Sequence, residues 1–172
     1  MQDSENIHKW SDIKGTPVVG LKQGEKLGTV EDFYFDPSTF YIYALVVQTA
    51  PFTSMALHTA DISGLGKDAI TTPGQNELQD KTRDQRLSTL PQGKDLLSRK
   101  IMSAGGNVVG SVGHLLVAAT LPNELRITAV ELTGGILEHL GFQAPQYIST
   151  QEIHYGADTL IIPDSVAQAL KR

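Results

Sequence analysis

The chain has 172 residues, of which 40% are hydrophobic, enough to bury the core of one medium domain or of two small ones. Its formal net charge of −5 opposes the broad positive field that attracts nucleic acid, so nucleic acid is not expected as a partner. Cysteine is absent, which excludes disulfides, thiolate nucleophiles and cysteine-ligated metals.

The amino-terminal segment lacks the features of an export signal. Residues 1–9 are polar and carry Asp3 and Glu5, whereas a secretion signal has a basic start and then an apolar stretch. Apolar runs such as 44–47 and 115–119 are far shorter than the roughly 20 residues of a membrane-spanning helix. The sequence therefore predicts a cytoplasmic protein without a membrane span.

One sequence pattern occurs twice along the chain. Residues 24–30 (GEKLGTV) recur as residues 106–112 (GNVVGSV), with glycines and a valine at matching places. Further on, the acid-isoleucine pair, the Gly-x-Asp turn and the proline of residues 61–73 recur in residues 152–163. Because both ends of the unit recur, we interpret the chain as a duplication.

Between those ends, each copy holds short runs of β-branched and aromatic residues, which are typical of strands. The turn residues at 36–39 and 121–124 predict a hairpin in each copy. The strand-like runs are residues 30–35, 41–47, 112–119 and 126–132. Each copy is predicted to be a small barrel or closed sheet of about five or six strands, because closure hides sheet edges.

Two glycines of the first copy have predicted architectural roles. At Gly24 a tight turn needs a positive φ, and Gly28 marks a bulge or bend where a small barrel curves. Along the following strand, Phe33 and Phe35 share one face and Tyr34 lies on the other. One face is predicted to be core and the other an exposed patch that meets the second barrel or a partner.

The polar segment of residues 75–94 is predicted to be a charged linker with a short helix, weakly anchored by Leu87 and Leu90. It separates a first domain, residues 1–74, from a second, residues 95–172. A short helix over 165–170, capped by Asp164 or Ser165, ends the chain. The expected fold class is therefore mainly all-β, with two small barrels in tandem.

The second copy carries an insertion, residues 134–145, that is longer and more apolar than its counterpart around residues 49–54. We interpret it as the candidate partner-binding surface. Its apolar side chains are those of Ile136, Leu137, Leu140 and Phe142.

Taken in order, several motifs of the first copy resemble the PRC-barrel domain. They are residues 12–19, 24–32, 35–37, 43–47, 61–62 and 66–70. The second copy fits at residues 106–112 and in its tail, but it lacks the Asp-Pro turn. The family includes the cytoplasmic domain of the H subunit of photosynthetic reaction centres and the carboxy-terminal domain of a ribosome maturation factor. The resemblance implies a docking platform for other macromolecules.

Histidine is the residue type that invites a metal or acid–base site, because a neutral imidazole is a common ligand and proton shuttle. No His-x-x-x-His pair occurs among the five histidines, however, and no catalytic, cofactor-binding or metal-binding residue is predicted. If a cleft between the barrels does bind a ligand or catalyse a reaction, the residues to test are His114, His139, His154 and Glu152.

The predicted function is that of a non-catalytic docking or adaptor module that binds a protein partner or a second copy of itself, with a homodimer as one form. Two alternatives stay open. One is a small-ligand-binding protein or enzyme using a cleft between the barrels. The other is a factor associated with ribosome or RNA maturation, which the acidic charge disfavours.

Overall fold

The structure, a computed structural model, describes residues 6–134 and 145–170. It is built mostly of β-strands with few helices, as the sequence predicts. The first sheet contains β2 (Pro17–Gly20), β3 (Glu25–Phe35), β4 (Ile42–Ala50), β5 (Thr53–His58), β6 (Gly64–Leu65), β7 (Ile70–Thr72) and β8 (Leu78–Gln79). The second contains β1 (Asn6–Lys9), β9 (Lys100–Ser103), β10 (Val108–Leu121), β11 (Glu124–Thr133), β12 (Gln146–Ser149), β13 (His154–Tyr155) and β14 (Leu160–Ile162).

Short helices connect and flank these strands. The described α-helices are α1 (Trp10–Ile13), α2 (Gly93–Leu96) and α3 (Asp164–Leu170). The described 3₁₀ helices are Thr59–Asp61, Gln75–Glu77, Lys81–Arg83, Gln85–Thr89 and Thr150–Glu152. Within residues 6–134 and 145–170, none of the helices has the length and apolar character needed to cross a lipid bilayer.

The two sheets share one strand order. The first runs β6-β7-β2-β3-β4-β5-β8, and the second runs β13-β14-β9-β10-β11-β12. In each sheet one pair is parallel, β2 with β7 and β9 with β14, and the other neighbouring strands are antiparallel. The hairpins predicted at residues 36–39 and 121–124 are confirmed as the β3–β4 and β10–β11 connections.

The glycines of the recurring motif have the predicted roles. Gly24 and Gly106 have positive φ, at 61° and 94°, in the turn that precedes the long strand of each sheet. Gly28 and Gly110 each lie at a register shift, where the long strand bulges against its neighbour. A bulge bends the strand that carries it, so the recurring glycine motif marks where each long strand curves.

A second matched pair consists of buried threonines that close each sheet. The Thr59 hydroxyl donates towards two carbonyl oxygens of the β4 region, those of Ile42 at 3.0 Å and Tyr43 at 3.1 Å. Thr150 does the same on β11, towards Ile127 at 2.8 Å and Thr128 at 3.2 Å. Each threonine thereby ties the 3₁₀ turn that follows β5 or β12 to the neighbouring long strand.

The two halves exchange the segments that precede their sheets. Strand β1 pairs with β10 of the second sheet, with Lys9 opposite Leu116, and α1 packs on the same strand. In the other direction Gln92 bridges to Tyr34 of β3, and α2 packs on β3. Each short helix therefore lies against the long strand of the opposite half.

One hydrophobic core runs through both halves because aromatic rings meet between them. Trp10 packs edge-on against Phe33, with 4.7 Å between ring centroids. Phe35 stacks on Phe40 at 5.8 Å and meets Tyr155 of the second sheet edge-on at 5.5 Å. All but Tyr155, which is partly buried, are buried members of one continuous cluster.

The predicted domain boundaries at residues 74 and 94 stay a prediction. Strand β1 lies in the predicted first domain but pairs with the second sheet. Strand β8 lies in the predicted linker but pairs with β5 of the first sheet.

Candidate functional site

The contact surface predicted from the sequence lies outside the described residues. Ile136, Leu137, Leu140 and Phe142 all fall within 135–144, and so does His139. The prediction that they bind a partner therefore stays a prediction.

The other residues proposed for ligand binding or catalysis are spread over the second sheet. His114 lies on β10 with its side chain 60% exposed, and its Nε2 is 3.9 Å from a carboxylate oxygen of Glu131. Glu152 and His154 are exposed, Glu152 at the end of a 3₁₀ helix and His154 at the start of the edge strand β13. In the described part of the chain, no group of three or more His, Asp or Glu side chains has a geometry that would hold a metal ion.

A polar cluster that sequence reasoning missed lies on the outer face of the first sheet. The hydroxyl of Tyr43 donates to Asp84 Oδ2 at 2.5 Å, and His58 Nε2 lies 2.7 Å from the same oxygen. The guanidinium of Arg86 stacks 4.8 Å from the Tyr43 ring centroid and reaches Asp36 at 3.3 Å. These five residues come from the first sheet and from residues 84–86, so only the fold brings them together.

The cluster fastens residues 84–90 across that face. Beneath it, Leu87 is 3% exposed and packs with Tyr34, Ala44 and Val46. The anchoring by Leu87 predicted from the sequence is therefore confirmed. The exposed patch predicted on the Tyr34 face is wrong, because Tyr34 is only 6% exposed beneath this segment. Phe33 and Phe35, on the other face, are core as expected.

Acid is expected to weaken this attachment through Asp84. Hydrogen bonds from Tyr43 and then from His58 lower the pKa of Asp84 below its ordinary value. A carboxyl group with a lower pKa in the folded chain stabilises the fold above its unfolded pKa, and that contribution disappears as pH falls through the folded pKa. Between about pH 5 and pH 2, the free energy of unfolding should fall more steeply in the wild type than in Asp84→Asn.

Urea unfolding of both proteins at several pH values measures this difference. Asp84→Asn should be less stable at neutral pH and should approach the wild type in acid. If the free energy of unfolding changed with pH in the same way in both proteins, Asp84 would not be holding residues 84–90 in place.

A second feature that the sequence did not reveal is the tip of the β4–β5 hairpin. Ala50 pairs with Thr53, which leaves Pro51 and Phe52 as a two-residue turn. The Phe52 side chain is fully exposed, and its backbone has a φ of 61°, in the left-handed region that a bulky residue rarely adopts. The other two-residue turn with a leading proline, between β10 and β11, has Asn123 in this place, a residue that suits turns.

The hairpin holds Phe52 in a fixed and uncharged setting. Residues 48–54 carry no charged side chain. Below the tip, the Ser54 hydroxyl donates to the carboxylate of Glu31 on β3, which ties the hairpin to its neighbour. The tip therefore presents an aromatic ring on a hairpin that is hydrogen-bonded to its neighbouring strand. A Pro-Phe pair in a two-residue turn, where glycine or asparagine is usual, was the signal for it in the sequence.

Clefts border this end of the first sheet. One lies between residues 20–27 and residues 74–77, with a volume of about 170 Å³. That is below the roughly 300–1,000 Å³ of small-molecule sites. Another is an open groove between residues 26–29 and residues 48–51, at the base of the Phe52 hairpin. By the same measure this groove has a volume of about 420 Å³, but it is open rather than enclosed.

Comparison with known proteins agrees with the fold. The family model of the PRC-barrel domain matches residues 5–79, which span β1 to β8 and so include every strand of the first sheet. A comparison with curated proteins finds no match. Residues 5–79 therefore match the PRC-barrel domain family, which confirms the resemblance predicted for the first copy.

Proposed function

We propose that this chain is a non-catalytic docking module, acting in the cytoplasm, that binds a protein partner through the Phe52 hairpin. The observation that supports this most directly is a fully exposed aromatic side chain on a left-handed backbone. Both features cost free energy and neither helps the fold, since Phe52 packs on no core. Such outliers gather at binding sites, where a partner buries the ring.

Aromatic anchors supply much of the binding energy in protein interfaces. An exposed phenylalanine that enters a pocket of the partner loses its contact with water at little entropic cost, because the hairpin already fixes its position. Leu21, 57% exposed, lies in the β2–β3 turn at the same end of the sheet. Together Phe52 and Leu21 give this end an apolar contact surface.

The second half supports the same arrangement by its connectivity. Residues 134–145 join β11 to β12, as Pro51 and Phe52 join β4 to β5. Along the sequence, the apolar residues predicted as a contact surface, from Ile136 to Phe142, fall between β11 and β12, as Phe52 falls between β4 and β5. In this proposal both connections take part in docking.

Enzymatic and RNA-associated functions have weaker support. The cluster around Tyr43 uses its ionisable groups to bind one another and the segment at residues 84–86. The net charge of −5 opposes attraction to RNA phosphates. Neither alternative is supported by a contact among the described residues.

The test replaces Phe52 by asparagine, which removes the ring and suits the left-handed backbone. A photo-crosslinking residue at position 52 identifies a partner in cells, and the purified partner is then titrated against the wild-type chain and Phe52→Asn. We expect binding to weaken by about 30-fold, the effect of losing a hot spot of about 2 kcal/mol. The free energy of unfolding should stay unchanged or rise by up to about 1 kcal/mol, because backbone strain is relieved.

The matched control is Leu121→Asn, which removes another exposed apolar side chain, 54% exposed, from the β10–β11 hairpin. It should leave the affinity unchanged. Equal affinities for wild type and Phe52→Asn would contradict the proposal, and so would an equal loss in Leu121→Asn.

A further inference from the structure

The two sheets differ at one edge. In the first sheet β8 covers the outer side of β5, with Gln79 opposite Ala56 and Leu78 opposite Leu57. In the second sheet β12 takes the place of β5, since each strand leads directly into the 3₁₀ turn of the matched threonine. Among the described residues, β12 pairs with β11 on one side and with no strand on the other.

The difference arises in the segment that follows the last strand of each sheet. After β7, Pro73 leads into a 3₁₀ helix and then β8. After β14, Pro163 leads into α3 instead, and the Asp164 carboxylate accepts the Gly105 N–H at 2.9 Å. Ala167 of α3 is buried against the core. The stretch that supplies a covering strand in the first half is thus a docked helix in the second.

Within β12 itself, no charged side chain or proline guards the edge against pairing. Exposed edges are normally guarded by charged side chains, proline or a covering element. Strand β12 reads Gln-Tyr-Ile-Ser and carries no charge, with Pro145 just before it. Ile148 is 2% exposed and faces the core, whereas Tyr147 is 39% exposed on the other face. The outer side of β12 therefore offers backbone N–H and C=O groups for pairing, next to the apolar side chain of Ile148.

We propose that β12 pairs antiparallel with β12 of a second copy of this chain, so that the two second sheets join into one. In an antiparallel pair, directly opposite residues point to the same face of the sheet. A two-fold axis perpendicular to the joined sheet must therefore pass midway between two copies of the same residue. An axis at Ile148 sets Ile148 against its own copy, as Leu78 stands against Leu57 in the first sheet. It also sets Tyr147 opposite Ser149, and no like charges meet.

The pairing is expected to be weak and reversible. A four-residue strand buries much less than the roughly 1,200–2,000 Å² of a stable interface. The dimer should therefore appear only as the concentration rises. This inference concerns the second sheet and does not depend on docking by Phe52.

Sedimentation equilibrium of the full chain, from low micromolar to near-millimolar concentration, is the first test. We expect the mean mass to rise towards that of a dimer. Hydrogen exchange on the unmodified chain should show the amides of residues 146–149 gaining protection over the same range. A monomer at every concentration would overturn the proposal.

Paired charges test the register. The double variant Tyr147→Lys with Ser149→Lys places like charges opposite each other and should weaken the dimer by roughly tenfold or more. Tyr147→Lys with Ser149→Glu places opposite charges there and should restore association. Leu121→Lys, on a hairpin away from this edge, is the control and should dimerise as the wild type does. Equal association of the two double variants would overturn the proposed pairing.

Discussion

Replacing Gly28 by alanine is expected to lower the free energy of unfolding by about 3 kcal/mol or more, since overpacking beside rigid backbone is at the upper end of its usual cost. A Cβ added at Gly28 would lie 2.7 Å from Cγ1 of Val47 and closer still to the carbonyl oxygen of Gln48. Backbone atoms of β4 cannot move aside without breaking the β3–β4 ladder. The substitution should therefore straighten the bulge or separate the two strands.

Gly74→Ala is the matched control in the same half of the chain. Its added Cβ would meet only the flexible side chain of Lys22, at 3.5 Å, and its φ of −178° is ordinary extended backbone. We expect no loss of stability, or a gain of up to about 1 kcal/mol from reduced freedom of the unfolded chain. Urea unfolding of both variants measures the difference, and equal midpoints would show that the close approach at Gly28 does not constrain the fold.

Trp10→Ala should destabilise the whole chain by about 3–5 kcal/mol, as expected for an emptied aromatic site in a core. Trp10 is 4% exposed, packs on Phe33 of the first sheet and belongs to α1, which lies on β10 of the second. Because its ring and its helix contact different sheets, the loss cannot stay within one half. Both sheets should unfold in a single transition at a lower denaturant concentration.

Two probes distinguish a shared loss from a local one. Circular dichroism follows all strands, while hydrogen exchange separates amides of β4 from those of β11. Ile7→Ala in the neighbouring strand β1 is the control, and because Ile7 is 54% exposed, it should change stability by less than about 1 kcal/mol. If β11 kept its protection in Trp10→Ala while β4 lost it, the two halves would be independent folding units.

Local sequence rules predicted the features that depend on neighbouring residues. The Gly24 turn, the Gly28 bulge and the alternation of Phe33 and Phe35 each follow from backbone geometry over a few positions. The chain itself contains that information, so the strands and their turns could be read from it. The prediction that the Tyr34 face is exposed was wrong, because residues 84–90, more than forty positions away in the sequence, cover that face.

Turn chemistry and side-chain periodicity act between residues close together, so a strand-rich chain with a recurring glycine motif and two hairpins could be predicted before the fold was known. The folded chain reveals three further arrangements: β1 and α1 cross to the second half, Asp84 meets Tyr43 and His58, and Phe52 stands at an uncovered tip. These arrangements depend on which distant surfaces pack together. Local preferences cannot predict which surfaces pack together, because the same strand-forming residues would suit either sheet.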